Sequence, residues 1–203
     1  MRKNSPDIRL IVGIVLAHVL MYFTFEDKSI FWYIFSATML FLISFAIISI
    51  ELDHQETFTQ NLLWGTLSGV FLYGIFWLGY TGLSFIGLSI TEPVAKLYSY
   101  YGAKNIWQYL LLIVLFAPGE EIFWRGFVQK RVMNYTNGFL AVGISSILFA
   151  SVQFYSGSWA LVLAALIAGL YWGTIYLWKR SIVLLITSHI IFSLLLFVFF
   201  PLV

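Results

Sequence analysis

The chain contains no cysteine. That absence removes thiol nucleophiles, thiolate metal sites, disulfides and anchoring through a lipidated cysteine. Charge is nearly as scarce. Asp, Glu, Lys and Arg together make up 10% of 203 residues, where a soluble domain carries about 25%. A net charge of +2 is too small to describe a phosphate-binding surface, so nucleic acid is not an expected partner. What the sequence has instead is apolar mass: 61% of its residues are apolar and 20% are aromatic. These proportions predict an integral membrane protein forming one domain over residues 1–203.

A helix needs about 20 apolar residues to cross a hydrocarbon core of about 30 Å. Seven segments meet or approach that length: Ile8–Phe25, Ile30–Ile50, Leu62–Ile90, Ile106–Phe127, Phe139–Phe154, Trp159–Trp178 and Ile182–Val203. They predict an all-α, polytopic transmembrane helical bundle of about seven to eight spans. The third segment is too long for one straight span and carries glycines from Gly65, Gly69 and Gly74 onward. It is expected to kink or to end in an interfacial turn around Phe85–Ile90, which leaves an eighth element open. No small-residue cleavage site follows the first segment, which reads as a retained anchor.

Basic residues orient the bundle. Arg2, Lys3, Arg9, Lys130, Arg131, Lys179 and Arg180 fall on one side of a seven-span arrangement, and Lys28, Lys96 and Lys104 on the other. The imbalance predicts a cytoplasmic N-terminus, to which the acidic loop Glu51–Gln60 adds nothing.

Two acids and one base break the pattern of charges at loops and span ends. Glu120, Glu121 and Arg125 lie inside the fourth segment. A charge at mid-bilayer costs about 2.5–3.5 kcal/mol on insertion scales, so such residues need partners or a role. Glu121 and Arg125 are four apart, with the acid nearer the N-terminus, the favourable order for an ion pair. Glu120 is rotated by about 100° on an α-helix, which makes it the spare carboxylate. Two plainer readings stand beside this one: a Glu–Arg clasp that only fixes packing, or a peripheral loop opened by Pro118-Gly119.

Of the three histidines, His54 reads as solvated and His18 as a hydrogen-bonded packing residue. His189 shares a helix face with Ser193. Glu120 and His189 each lie about 12 Å from the cytoplasmic end of their spans, so they are expected to face each other. A carboxylate and an imidazole at one depth form a minimal constellation for activating water. Ser146, Phe149 and Gln153 supply an inward, polar-edged face, while Ala165, Gly169 and Gly173 form a small-residue packing seam. No aspartate lies in any span, there is no HExxH, and Ser68 within Gly65–Gly69 lacks the spacing of a GxSxG elbow and reads as a packing residue. For a membrane hydrolase, glutamate is then the base.

Glu120-Glu121-Ile122-Phe123-Trp124-Arg125 resembles the EExxxR motif of the CPBP family, the CAAX prenyl proteases and bacteriocin-processing enzymes, also called Abi. Phe149 to Gln153 occupies the place of the family's FxxxH motif. Leu166–Leu170 with Gly173 is similar to its glycine-bearing sixth segment. His189 to Ser193 resembles its last motif, a histidine followed four residues later by Asn or Asp. The resemblance covers about Ile106–Leu196, which sets residues 105–196 as a catalytic core and 1–104 as N-terminal membrane spans.

The resemblance implies a glutamate-dependent intramembrane endopeptidase in a bacterial cell membrane, acting on a membrane-associated peptide or protein. Glu120 becomes the base, Glu121 with Arg125 its support, and His189 the oxyanion donor or orienting group. The family's naming as metalloproteases leaves zinc open, with Glu120 and His189 as its donors, although the carboxylate mechanism itself requires no cofactor. Gln153 stands where histidine is expected, and Ser193 where Asn or Asp is expected. An amide cannot shuttle a proton near neutral pH and is a poor zinc ligand, which raises the alternative of a catalytically impaired homologue that binds a membrane partner. Gln153 also lies about 9 Å too far toward the outer end of its span.

Overall fold

The computed structural model describes residues 7–48, 57–88 and 90–202. Arg2, Lys3, His54 and the loop acids Glu51, Asp53 and Glu56 lie outside the described residues. Of the described residues 86% are helical, and none of them forms a strand. Its helices are α1 (Ile8–Glu26), α2 (Phe31–Ile47), α3 (Phe58–Phe85), α4 (Thr91–Tyr101), α5 (Ile106–Val132), α6 (Gly138–Ser156), α7 (Trp159–Lys179) and α8 (Ile182–Phe199). Six of these are long and apolar enough to cross a membrane, and α2 is a shorter apolar helix. The protein is an integral, multi-span membrane protein.

Polar residues placed at the starts of the spans set where they begin. Asp7 accepts from the backbone N–H of Arg9 and Leu10, Asn137 from Leu140, Ser158 from Leu161 and Ser181 from Leu184. Thr57 and Gln60 form a reciprocal capping box on α3. Each cap satisfies N–H groups that the first helical turn leaves unpaired. After α3 the chain turns at Gly87, whose φ of +81° suits glycine. The eighth element is α4, which follows that turn; Ser89, within the expected turn, lies outside the described residues.

Helix α5 occupies the centre, in contact with α1, α2, α6, α7 and α8. Its Phe116, Phe123, Trp124 and Phe127 pack into an aromatic core with Phe31, Trp32 and Phe35. On the opposite side, α3 and α8 approach closely. A Cβ at Gly65 would stand 2.6 Å from Thr187 Cβ, and one at Gly69 would stand 2.5 Å from the Ser188 carbonyl oxygen. Where lipid replaces water, such small-residue contacts give helices their packing energy. In α7, Gly169 meets Ser146 and Gly173 meets Gln129, so the expected seam joins α7 to α6 and α5. Gln129 Nε2 donates to the Gly173 carbonyl at 2.8 Å.

Candidate active site

The site begins with a disturbance in α5. Pro118 has no backbone N–H and would break a regular α-helix. Here the helix widens around it. Leu112–Phe116 before the proline and Glu121–Gln129 after it are π-helical, with a short α-helical stretch between them. Wide turns of this kind occur often at functional sites. The run is therefore not opened into a peripheral loop: Glu121 is 0% exposed and Arg125 2%. A wider turn also means that successive side chains diverge by less than the roughly 100° of an α-helix. This explains why Glu120 and Glu121 reach the same imidazole instead of pointing to different faces.

Arg125 Nη1 donates to Glu121 Oε1 at 3.1 Å, the pair expected from the spacing. The same oxygen accepts from His189 Nδ1 at 2.9 Å. On the other side of the ring, His189 Nε2 lies 3.7 Å from Glu120 Oε2. The histidine thus sits between the two carboxylates, a relationship that places Glu121 closer to His189 than a purely supporting role suggests. A carboxylate oxygen accepts, so the Nδ1 side of the ring carries the hydrogen shared with Glu121, and Nε2 is the nitrogen that faces Glu120.

Aromatic rings enclose these charges. The Arg125 guanidinium carbon lies 4.8 Å from the centre of Phe149 and 5.3 Å from that of Trp172, within the reach of cation–π attraction. Trp172 stacks on His189 with centroids 4.0 Å apart and planes 26° apart. Its Nε1 donates to Ser188 Oγ at 3.0 Å. Ser188 Oγ is bonded in turn to Ser68 Oγ at 2.9 Å, and Ser68 to Tyr171. Ser68 is therefore more than packing: it ties α3 to the group that holds the tryptophan. Glu121 Oε2 and Arg125 Nη2 are buried without a hydrogen-bond partner among the described residues.

A cavity of about 200 Å³ brings Glu120, Phe149, Gln153, Trp172, His189 and Ser193 to one surface. Gln153 thus reaches the depth of Glu120 after all. The reason is that α5 runs to Val132 and not to Phe127, which moves Glu120 about 7.5 Å further from that end of the bundle at 1.5 Å per residue. Gln153 itself sits on the 3₁₀ turn Val152–Ser156 and is buried. Ser193 is buried in the same wall. Among the described residues it makes no hydrogen bond to His189, whose orientation comes from Glu121 and Trp172. A second cavity of about 210 Å³, nearly all apolar, adjoins the first and shares Phe76, Tyr101, Leu161, Ala164, Leu196 and Phe197 with it. His18 lies elsewhere, bonded to Tyr155 and Ser151.

The donor set does not fit zinc. A catalytic zinc site takes three protein ligands of the Cys, His, Asp or Glu type. Among the described residues no group of three such side chains is disposed to hold a metal ion. Glu121 Oε1 and His189 Nδ1 hold each other, and the further polar groups of the cavity, from Gln153, Ser193, Tyr101 and the tryptophans, are amide, hydroxyl and indole.

Trp172, Ser188 and Ser68 carry no sequence signal that sets them apart. In a chain with eight tryptophans, one more inside an apolar helix looks like lipid contact or core. Only the adjacency of Ser188 to His189, and of Trp172 to the glycine seam, marked their neighbourhoods.

Fold and site together define a helical membrane protein with a buried Glu–Glu–Arg–His cluster opening on an apolar cavity. Residues 102–195 match the family described as Type II CAAX prenyl endopeptidase Rce1-like, and the resemblance to the CPBP family of membrane endopeptidases is thereby shown over that part of the chain. No curated protein and no solved structure matches the chain.

Proposed function

We propose that the protein is a glutamate-dependent intramembrane endopeptidase that hydrolyses a peptide bond of a membrane-associated substrate. The observation that carries this reading is the meeting of Glu120 and His189, 3.7 Å apart, in one cavity with Gln153 and Ser193. Glu120 removes a proton from water as the water oxygen bonds to the substrate carbonyl carbon. The His189 ring and the Ser193 hydroxyl polarise the carbonyl oxygen as it gains charge. The carbon–nitrogen bond then breaks, and the proton passes to the leaving nitrogen. Glu121 and Arg125 hold the histidine, and the apolar walls supply the low-dielectric surroundings in which such interactions are strongest. No step passes through a metal.

In this reading residues 105–196 form the catalytic core and residues 1–104 supply N-terminal spans. The protein lies in a bacterial cell membrane with its N-terminus cytoplasmic. Arg9, Lys130, Arg131, Lys179 and Arg180 support that orientation, because the seven-span order carries them to one end of the bundle, where Arg131 pairs with Asp7.

A second reading is favoured by Gln153, which stands in the cavity where the related motif places histidine. In it the protein is a catalytically impaired relative that binds a membrane partner. One comparison separates the two: cleavage of membrane peptides by the native chain, Glu120→Ala and Gln153→His. Native cleavage lost in Glu120→Ala is the result expected of the enzyme. Cleavage by Gln153→His alone identifies the impaired relative.

A further inference from the structure

Glu121 Oε1 holds the His189 imidazole at Nδ1, and a ring held at a single atom can still turn about that bond. Trp172 removes this freedom. Its indole stacks on the ring with centroids 4.0 Å apart, and it is itself buried. The indole in turn needs a partner for its Nε1–H, because a buried donor without one is costly. That partner begins a chain of hydroxyls in which each donor is fixed by its neighbours. Tyr171 Oη donates to the Ser68 carbonyl at 2.9 Å. With its hydrogen committed there, it accepts from Ser68 Oγ at 3.1 Å. Ser68 Oγ therefore accepts from Ser188 Oγ at 2.9 Å, and Ser188 Oγ accepts from Trp172 Nε1 at 3.0 Å.

The chain starts on α7, passes through α8 to α3, returns to α7 and ends on a backbone carbonyl of α3. Each hydroxyl in it gives one hydrogen and receives one, and a buried network satisfied in this way is rigid. The close approach of Gly69 to the Ser188 carbonyl holds α3 against α8 at the next residue. Ser68 and Ser188 do not line the cavity of Glu120 and His189, whereas Trp172 does. Ser68 also lies outside residues 102–195, the part of the chain that matches the endopeptidase family.

From this geometry we propose that Trp172 is a positioning residue for His189, and that Ser68, acting through Ser188, sets the plane of Trp172. The N-terminal span α3 is then part of the reacting geometry, although the family match does not reach it. The proposal rests on the endopeptidase reading above. Loss of the Ser68 hydroxyl frees the indole to tilt, and the imidazole with it. Nε2 then leaves its place 3.7 Å from Glu120 Oε2. Such a displacement is read in kcat and not in KM, because neither serine touches the space the substrate enters.

The test is a double-mutant cycle on the full chain in lipid nanodiscs, read by cleavage of one membrane peptide and by proton NMR of the His189 ring. Trp172→Phe keeps an aromatic ring and removes the N–H that starts the chain. Ser68→Ala is expected to lower kcat by about 10- to 10²-fold with KM unchanged. Added to Trp172→Phe, it should cost nothing further. Losses that add in the double variant, or a Ser68→Ala loss confined to KM, overturn the proposal. So does an equal loss in Thr174→Val, which removes an exposed α7 hydroxyl that donates to the Leu170 carbonyl. The NMR is read at one pH, with His189 assigned by difference against His189→Gln. Its ring protons should lie upfield beneath the indole and move toward ordinary positions in Ser68→Ala; unmoved positions overturn the proposal. A native chain that shows this movement and cuts no membrane peptide contradicts the endopeptidase reading while upholding the hold of Ser68 on the ring.

Discussion

Glu121 Oε1 accepts from His189 Nδ1 at 2.9 Å and so joins α5 to α8 inside the bundle. Arg125 completes the link from below, on the same oxygen. The three residues form one unit, in which removing any member leaves a buried charge or donor unpaired.

Arg125→Met is expected to cost about 3–5 kcal/mol, the range for breaking a buried pair from one side. Adding Glu121→Gln to that variant should recover part of the loss, because the uncompensated carboxylate is then gone. Thermal unfolding in detergent of the two variants and the native chain measures both effects.

Gln153→His should change the cleavage rate by less than about tenfold if the native cluster already meets the proton-transfer needs of Glu120. A missing acid–base partner restored at residue 153 would instead raise the rate by about 10²–10⁴. Rates on one membrane peptide, measured with the native chain as reference, discriminate between these outcomes.

Gly69→Ala puts a methyl group against the Ser188 carbonyl oxygen, a backbone atom with no freedom to step aside. The expected loss is about 1–3 kcal/mol, together with weaker activity, since Ser188 steadies Trp172. Gly74→Ala on the same helix meets nothing within 4 Å and should gain up to about 1 kcal/mol from helix propensity. Similar gains at both positions would show that helix propensity, and not the α3–α8 contact, governs this face.

The pairing of Asp7 with Arg131 sets a pH dependence at the end of the bundle. Burial works to raise the Asp7 carboxyl. Hydrogen bonds from Arg131 and the Leu10 backbone, the Arg131 charge and the Arg9 backbone outweigh it and hold the group below its ordinary value. A lowered folded value means that the stability is present above the unfolded pKa of about 3.9 and is lost as pH falls through the folded one. Asp7→Asn should therefore lower the Tm at neutral pH and flatten the acid limb of the Tm profile below about pH 4. An acid limb unchanged by Asp7→Asn contradicts this assignment.

The site is legible in the sequence to the extent that charge in a bilayer is costly. Glu120, Glu121 and Arg125 stand out because almost every other charge lies at a span end, and His189 follows from its depth. The geometry among them is not legible. Spacing on an ideal α-helix separates Glu120 from Glu121, and nothing in the residues announces that a proline would be absorbed by π-helical turns that bring both acids to one ring. The span order follows from hydropathy, whereas the five extra residues of α5, which carry Glu120 to the depth of Gln153, are polar or basic enough to look like a loop. Trp172 was hidden for the opposite reason: its surroundings are as apolar as it is.

The most direct measurement is cleavage of a set of membrane-spanning peptides by the native chain and by Glu120→Gln in lipid vesicles, with products identified by mass spectrometry. The substitution keeps the size of the side chain and removes its capacity as a base. Specific cleavage by the native chain, with a loss of about 10²-fold or more in Glu120→Gln, is the expected result. Cleavage that persists at the native rate in Glu120→Gln would contradict the assignment of Glu120 as the base that activates water.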